Sequence, residues 1–233
     1  GLGGGSSYTA LMAIAGYNAL SIPLISLTLN LIVTSIGSYN FIRYRHASFR
    51  LVVPFLVTSI PTAYIGGALQ LPKEFFFQLL MVALLFVAAR IYFWKETVFN
   101  IRIGSTGKLI VSLVTGSILG LVAGITGIGG GIFLVPLIIM LGLGTVREAA
   151  GCGAIFIWLN SLAGLVARLQ YNTVDLLEHA PLIVAVVLGG ALGSHLGSSR
   201  LSRNVMEKIL GAIILVAVVF LARKLFVSQA LAS

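Results

Sequence analysis

The chain has 233 residues, of which 58% are hydrophobic and only 9% charged, with a mean hydropathy of +1.08. Soluble globular domains carry about 25% charged residues, so this composition excludes an ordinary soluble domain and sets most of the chain against lipid or another apolar helix. Fifteen Lys and Arg oppose six Asp and Glu, a formal charge of +9, and the basic residues sit mainly between apolar blocks. That is the distribution of a positive-inside membrane protein, not of a solvated nucleic-acid-binding face.

The run Gly1-Leu2-Gly3-Gly4-Gly5 opens the chain and returns, about 126 residues later, as Gly127-Ile128-Gly129-Gly130-Gly131. Glycine clusters break helices, and in hydrocarbon such breaks survive only where protein or a water-filled cavity satisfies the freed backbone groups. After the first run a short apolar piece (about 7–16) leads into Ser21-Ile22-Pro23 and long apolar blocks near 22–42, 50–71 and 75–94. After the second, a short piece (132–143) leads into Thr145-Val146-Arg147-Glu148 and long blocks near 149–168, 179–198 and 204–226. Blocks of about 20 residues span a bilayer core as helices; pieces of 10–12 do not.

The sequence therefore predicts an all-α, polytopic integral membrane protein built from two homologous repeats. Each repeat has a glycine-broken short or re-entrant helix plus three transmembrane helices. The first covers 1–94, a polar linker covers 95–107, and the second covers 108–233. An apolar stretch, 108–126, precedes the second glycine run, and a helix in the equivalent place before Gly1 is expected.

Boundary residues fit helix chemistry. Thr145 and Glu148 have capping-box spacing, Ser202 suits the N-cap of the last helix, and Pro54 and Pro181 fall near the starts of equivalent helices. Gly66 with Gly193, and Asn30 with Asn160, match at offsets near 127 and 130. The charges Arg90, Lys95, Arg102 and Lys108 resemble those of Arg43, Arg45 and Arg50, which places both loops in the cytoplasm. Arg200, Arg203 and Lys208 join them only if 108–143 enters and leaves on one face, which makes the repeats inverted. If 108–126 crosses and 132–143 only packs behind it, the repeats are parallel; charge counting favours inversion.

All six acids, Glu74, Glu96, Glu148, Asp175, Glu178 and Glu207, lie in or beside predicted loops. A cation cargo or a buried proton relay would call for a carboxylate at membrane depth. What lies there instead is neutral and rich in donors: the glycine amides, with Ser6, Ser7, Thr9, Asn30, Thr34, Ser35, Thr126, Asn160 and Ser161 nearby. Helix N-termini exposed at glycine breaks favour small oxyanions. The competing reading of small residues is close helix packing.

Arg147 and Arg168 flank one block and are candidates to attract or clamp the anion; the competing role is a snorkelling interfacial cation. Asn30 and Asn160 contact substrate or form a paired interhelical hydrogen bond. His195 could titrate near neutral pH, though a satisfied interfacial histidine is commoner. Lone Cys152 reads as apolar packing. No nucleophile–base constellation and no Cys/His set at ligand spacing is present, so no catalytic residue, cofactor or metal is expected.

The stretch Gly116 to Leu137, GSILGLVAGITGIGGGIFLVPL, resembles the signature of the TauE/SafE sulfite and organosulfonate exporters, also called the toluene sulfonate uptake permease family. In that pattern spaced glycines lead into GxGGG and then a Val-Pro pair, here Val135-Pro136. The resemblance extends over essentially the whole chain. It implies a multi-pass protein of the cell (inner) membrane that moves sulfite, an organosulfonate or another small sulfur anion, as a secondary carrier working by alternating access, in the export direction and with an unspecified coupling ion. It implicates Gly127, Gly129, Gly130, Gly131 and Pro136, and in the first copy Gly1, Gly3, Gly4 and Gly5. There Ser6-Ser7-Tyr8-Thr9 replaces Ile132-Phe133-Leu134-Val135, so the half-sites differ chemically. An anion or small-solute channel lined by the same donors is the rival reading.

Overall fold

A chain this apolar must satisfy its backbone internally, and helices do so residue by residue. The computed structural model describes residues 4–44, 48–93, 104–171, 180–186, 188–189 and 203–232. In chain order it contains α1 (Gly5–Ile14), α2 (Ser21–Arg43), α3 (Phe49–Ala68), α4 (Lys73–Phe93), α5 (Ser105–Thr126), α6 (Gly131–Met140), α7 (Val146–Leu169) and α8 (Arg203–Ala232). Residues 180–186 and 188–189 are also helical, and no strand occurs among the described residues. Six helices, α2 to α5, α7 and α8, are long and apolar enough to cross a membrane. The ten residues of α1 and of α6 give each a length of about 15 Å, half a bilayer core.

Glycine sets both ends of each short helix. Gly4 (φ +80°) and Gly130 (φ +72°) precede them in the left-handed region that disfavours any Cβ. Ser7 and Tyr8 donate their N–H to the Gly4 carbonyl, and Phe133 and Leu134 do the same to Gly130. At the other end Gly16 (φ +82°) and Gly142 (φ +59°) stop the helices with matched bonds: Gly16 to Ala13 and Tyr17 to Met12, Gly142 to Ile139 and Leu143 to Ile138. Asn18 then opens α2, its Oδ1 accepting from the N–H of Leu20 at 3.0 Å and Ser21 at 2.7 Å. The expected capping box opens α7, with Glu148 N–H donating to Thr145 Oγ1 and Thr145 N–H to the Glu148 carboxylate. Ser202 and the pairing of Gly66 with Gly193 involve residues outside those described.

The tightest helix pair is α3 with α5. Gly116, Gly120 and Gly124, spaced by four, lie on the backbones of Phe55, Ser59 and Ala63, where a Cβ would meet a carbonyl oxygen each time. Thr58 Oγ1 adds a 2.7 Å bond to the Leu113 carbonyl. Without a hydrophobic drive between helices in lipid, such close backbone approach supplies the association. The ascending register also shows that α3 and α5 run parallel.

Other contacts fix the remaining directions. Between α2 and α7, Gly37 faces Ala154, Trp158 Nε1 donates to Ser35 Oγ at 2.8 Å, and Leu27 faces Gly164, an antiparallel order. Between α4 and α8, Lys224 Nζ lies 4.1 Å from the Phe77 ring centroid and Tyr92 covers Gly211, again antiparallel. The short connections after α1 and α6 fold each back on its following helix, so α1 and α6 also point in opposite senses. One end of the bundle thereby gathers Arg43, Arg50, Arg90, Lys108, Arg147 and Lys208, the end that the positive-inside bias gives to the cytoplasm.

A candidate anion site where two helix breaks meet

The start of α1 touches the break between α5 and α6. A Cβ on Gly5 would collide with the carbonyl oxygen of Ile128 and reach within 2.9 Å of Asn30 Nδ2. A Cβ on Gly129 would lie 2.9 Å from the same Asn30 nitrogen and from Ile157. Thus α1 and α6, pointing apart, meet N-terminus to N-terminus around the side chain of Asn30. Residues 123–132 are all buried, so the break at Gly127–Gly131 is enclosed by protein.

The loop's conformation explains its composition. Gly127 (φ +78°), Gly129 (φ +86°) and Gly130 are all left-handed, and neighbours close on them: Pro23 and Ser26 on Gly127, Phe156 on Gly130, Ile157 on Gly131. The Gly127 carbonyl accepts from Ser26 Oγ at 2.8 Å and from Asn30 Nδ2 at 3.0 Å. Thr126 Oγ1 accepts the Ile128 N–H at 3.3 Å. At the start of α6 the amides of Gly131 and Ile132 have no acceptor within their own helix, as for any helix N-terminus. The partial positive charge of that helix end therefore falls at the break.

The expected residues divide clearly. Gly4, Gly5, Asn30, Gly127, Gly129, Gly130 and Gly131 come together. Ser6 is buried and Ser7 half-buried in the first turn of α1. Gly1, Gly3 and His195 lie outside the described residues. Asn160 and Ser161 are fully buried on the α7 stripe that also carries Ile157, Gly164 and Arg168. Asn160 Nδ2 donates to the Phe156 carbonyl of its own helix at 2.7 Å, and does not bond across to α2. Cys152 is buried in the apolar cluster with Val52, Phe55 and Phe156, as expected.

Two expectations need correction. Arg147 is exposed in the first turn of α7, about 31 Å along the helix axis from Arg168, so the two cannot clamp one anion. Arg168 does not snorkel: it is only 4% exposed, and its Nη2 donates to the carbonyls of Gly124 (3.0 Å) and Ile125 (2.7 Å). Its guanidinium caps the negative C-terminal end of α5 immediately before the break, which spends those N–H groups on backbone. Pro136 also falls elsewhere, on an apolar cavity of about 510 Å³ behind α6 that it shares with Phe86, Val122 and Phe133.

Sequence reasoning overlooked Ser26, which only the fold brings to Gly127 101 positions away. It also passed over Gly16 and Gly142, whose spacing equals that of Gly4 and Gly130 and was legible in the sequence.

The profile of the sulfite exporter TauE/SafE family matches residues 1–221. The chain belongs to the TauE/SafE family. It is 34% identical over 221 residues to a probable membrane transporter protein of Sinorhizobium fredii, y4hK, covering 93% of this chain and 89% of that one. It is 25% identical over 233 residues to a probable membrane transporter protein of Bacillus subtilis, YjnA, covering 93% and 91%. No solved structure matches it. This TauE/SafE protein is accordingly a multi-pass membrane transporter.

Proposed function

We propose that this TauE/SafE protein is a secondary carrier that exports a small oxyanion, sulfite or an organosulfonate, by alternating access. The observation that carries the reading is the meeting of α1 and α6, N-terminus to N-terminus, at a buried centre that holds no carboxylate among the described residues. Such a centre offers an anion backbone donors and two favourable helix dipoles, with the buried Arg168 guanidinium held on the α5 carbonyls just before the break. The family's name and those of the relatives point to membrane transport, and the family's name to sulfite.

In this reading the chain divides into two inverted repeats, 1–94 and 108–233, joined by 95–107. The opposite directions of α1 and α6, α2 and α7, and α4 and α8 support it, as does the basic end they share. Gly5 seated on Ile128 then marks a closed centre, and rocking of one repeat against the other parts the two breaks toward one side at a time. A break whose residues 123–132 are all buried fits a carrier better than an open channel.

The test is flux in proteoliposomes. A carrier shows saturable sulfite or sulfonate flux and trans-stimulated counterflow, with both lost on Gly130→Val. Flux that neither saturates nor responds to trans substrate indicates a channel, and absence of flux for every sulfur anion removes the cargo assignment.

A further inference from the structure

The centre offers an acceptor as well as donors. Asn30 is fully buried and its carboxamide is oriented unambiguously, because Nδ2 bonds the Gly127 carbonyl; its Oδ1 has no hydrogen-bond partner. Asn160 on α7 has the same unmatched oxygen: it is fully buried, its Nδ2 bonds the Phe156 carbonyl of its own helix, and its Oδ1 has no partner. Exchanging O and N in either group would set oxygen against a carbonyl oxygen, so neither oxygen can be turned into a donor. A buried amide oxygen left unmatched is costly, so each calls for a donor from a water or a ligand, and at the meeting point of α1 and α6 a bound cargo is in place to supply it.

A fully deprotonated oxyanion cannot supply that partner, since all its outer atoms are acceptors. A metal cation could, but it would face the positive ends of α1 and α6. We infer that the cargo of this site carries a hydrogen-bond donor besides its anionic oxygens, as a hydroxy- or amino-substituted sulfonate or a protonated oxyanion such as hydrogensulfite does, and that the amide oxygen of Asn30, with that of Asn160, receives it. This rests on the proposed anion site and narrows its cargo: amides hold the anionic end, and the carboxamide oxygens read the proton.

The decisive comparison uses two probes of one skeleton, 2-hydroxyethanesulfonate and ethanesulfonate, titrated against the purified full chain by calorimetry. The hydroxyl-bearing probe should bind about tenfold or more tightly, because its absence leaves a buried acceptor unpaired. In Asn160→Leu and Asn30→Leu the preference should shrink toward parity while ethanesulfonate binds no more weakly in Asn160→Leu, whose amide bonds only its own helix. Equal affinities in the native protein overturn the inference and leave the anion site standing. A preference that survives both substitutions overturns it too. Failure of either probe, and of sulfite, to bind at all removes the anion site itself.

Discussion

At Gly5 and Gly16 an added methyl group meets opposite surroundings. Beside Gly16 there is open space, so Gly16→Ala suffers only its left-handed backbone, about 1–2 kcal/mol, and should transport normally. Gly5 has ordinary helical backbone, but its Cβ would enter the Ile128 carbonyl; Gly5→Ala should push the breaks apart and cut flux at least about tenfold, with a destabilisation of about 1–3 kcal/mol. Thermal unfolding alongside flux separates the two, and normal transport by Gly5→Ala would show that the contact between breaks is incidental. The arginines divide similarly. Arg168→Met leaves the Gly124 and Ile125 carbonyls unpaired in the interior and should cost about 2–4 kcal/mol, whereas exposed Arg147→Ala should stay within about 0.5 kcal/mol. Comparable losses for both would refute the capping role.

Among the helices, α5 makes the closest backbone approach, because Gly116, Gly120 and Gly124 line one face. Gly120→Val puts a branched side chain into the Ser59 backbone, and α3 and α5 must separate; the variant should lose its cooperative unfolding or drop in melting temperature by more than any surface change in α4. At α7 the requirement is milder. Thr145→Ala removes one half of the capping box and should cost about 1 kcal/mol, while Thr145→Ser should recover most of it. The helices themselves were legible in the sequence: the expected blocks near 22–42, 50–71, 75–94 and 149–168 agree with α2, α3, α4 and α7, since length and hydropathy alone decide whether a segment can lie in lipid. Partners were not legible. The glycine spacing of α5 announces a close neighbour, but nothing in it names α3.

For the whole bundle, the charge distribution predicts orientation. In a Cys152→Ser background, Arg43→Cys and Arg147→Cys should react with a membrane-impermeant maleimide from the cytoplasmic side, and Lys73→Cys from the other. Labelling of Arg43→Cys and Arg147→Cys from opposite sides would rule out the inverted arrangement, because α2 ends and α7 begins at the same end of the bundle. Composition and the apolar blocks determined by themselves that this is a helical membrane protein, because hydrocarbon leaves a backbone almost no other choice. The tertiary structure alone decided that the two breaks meet at Asn30, that Ser26 holds Gly127, and that Arg168 caps α5 while Arg147 stands apart. Those outcomes depend on how helices 100 residues apart are laid against one another, and close packing of small residues, unlike hydropathy, leaves no trace of its partner in the local sequence.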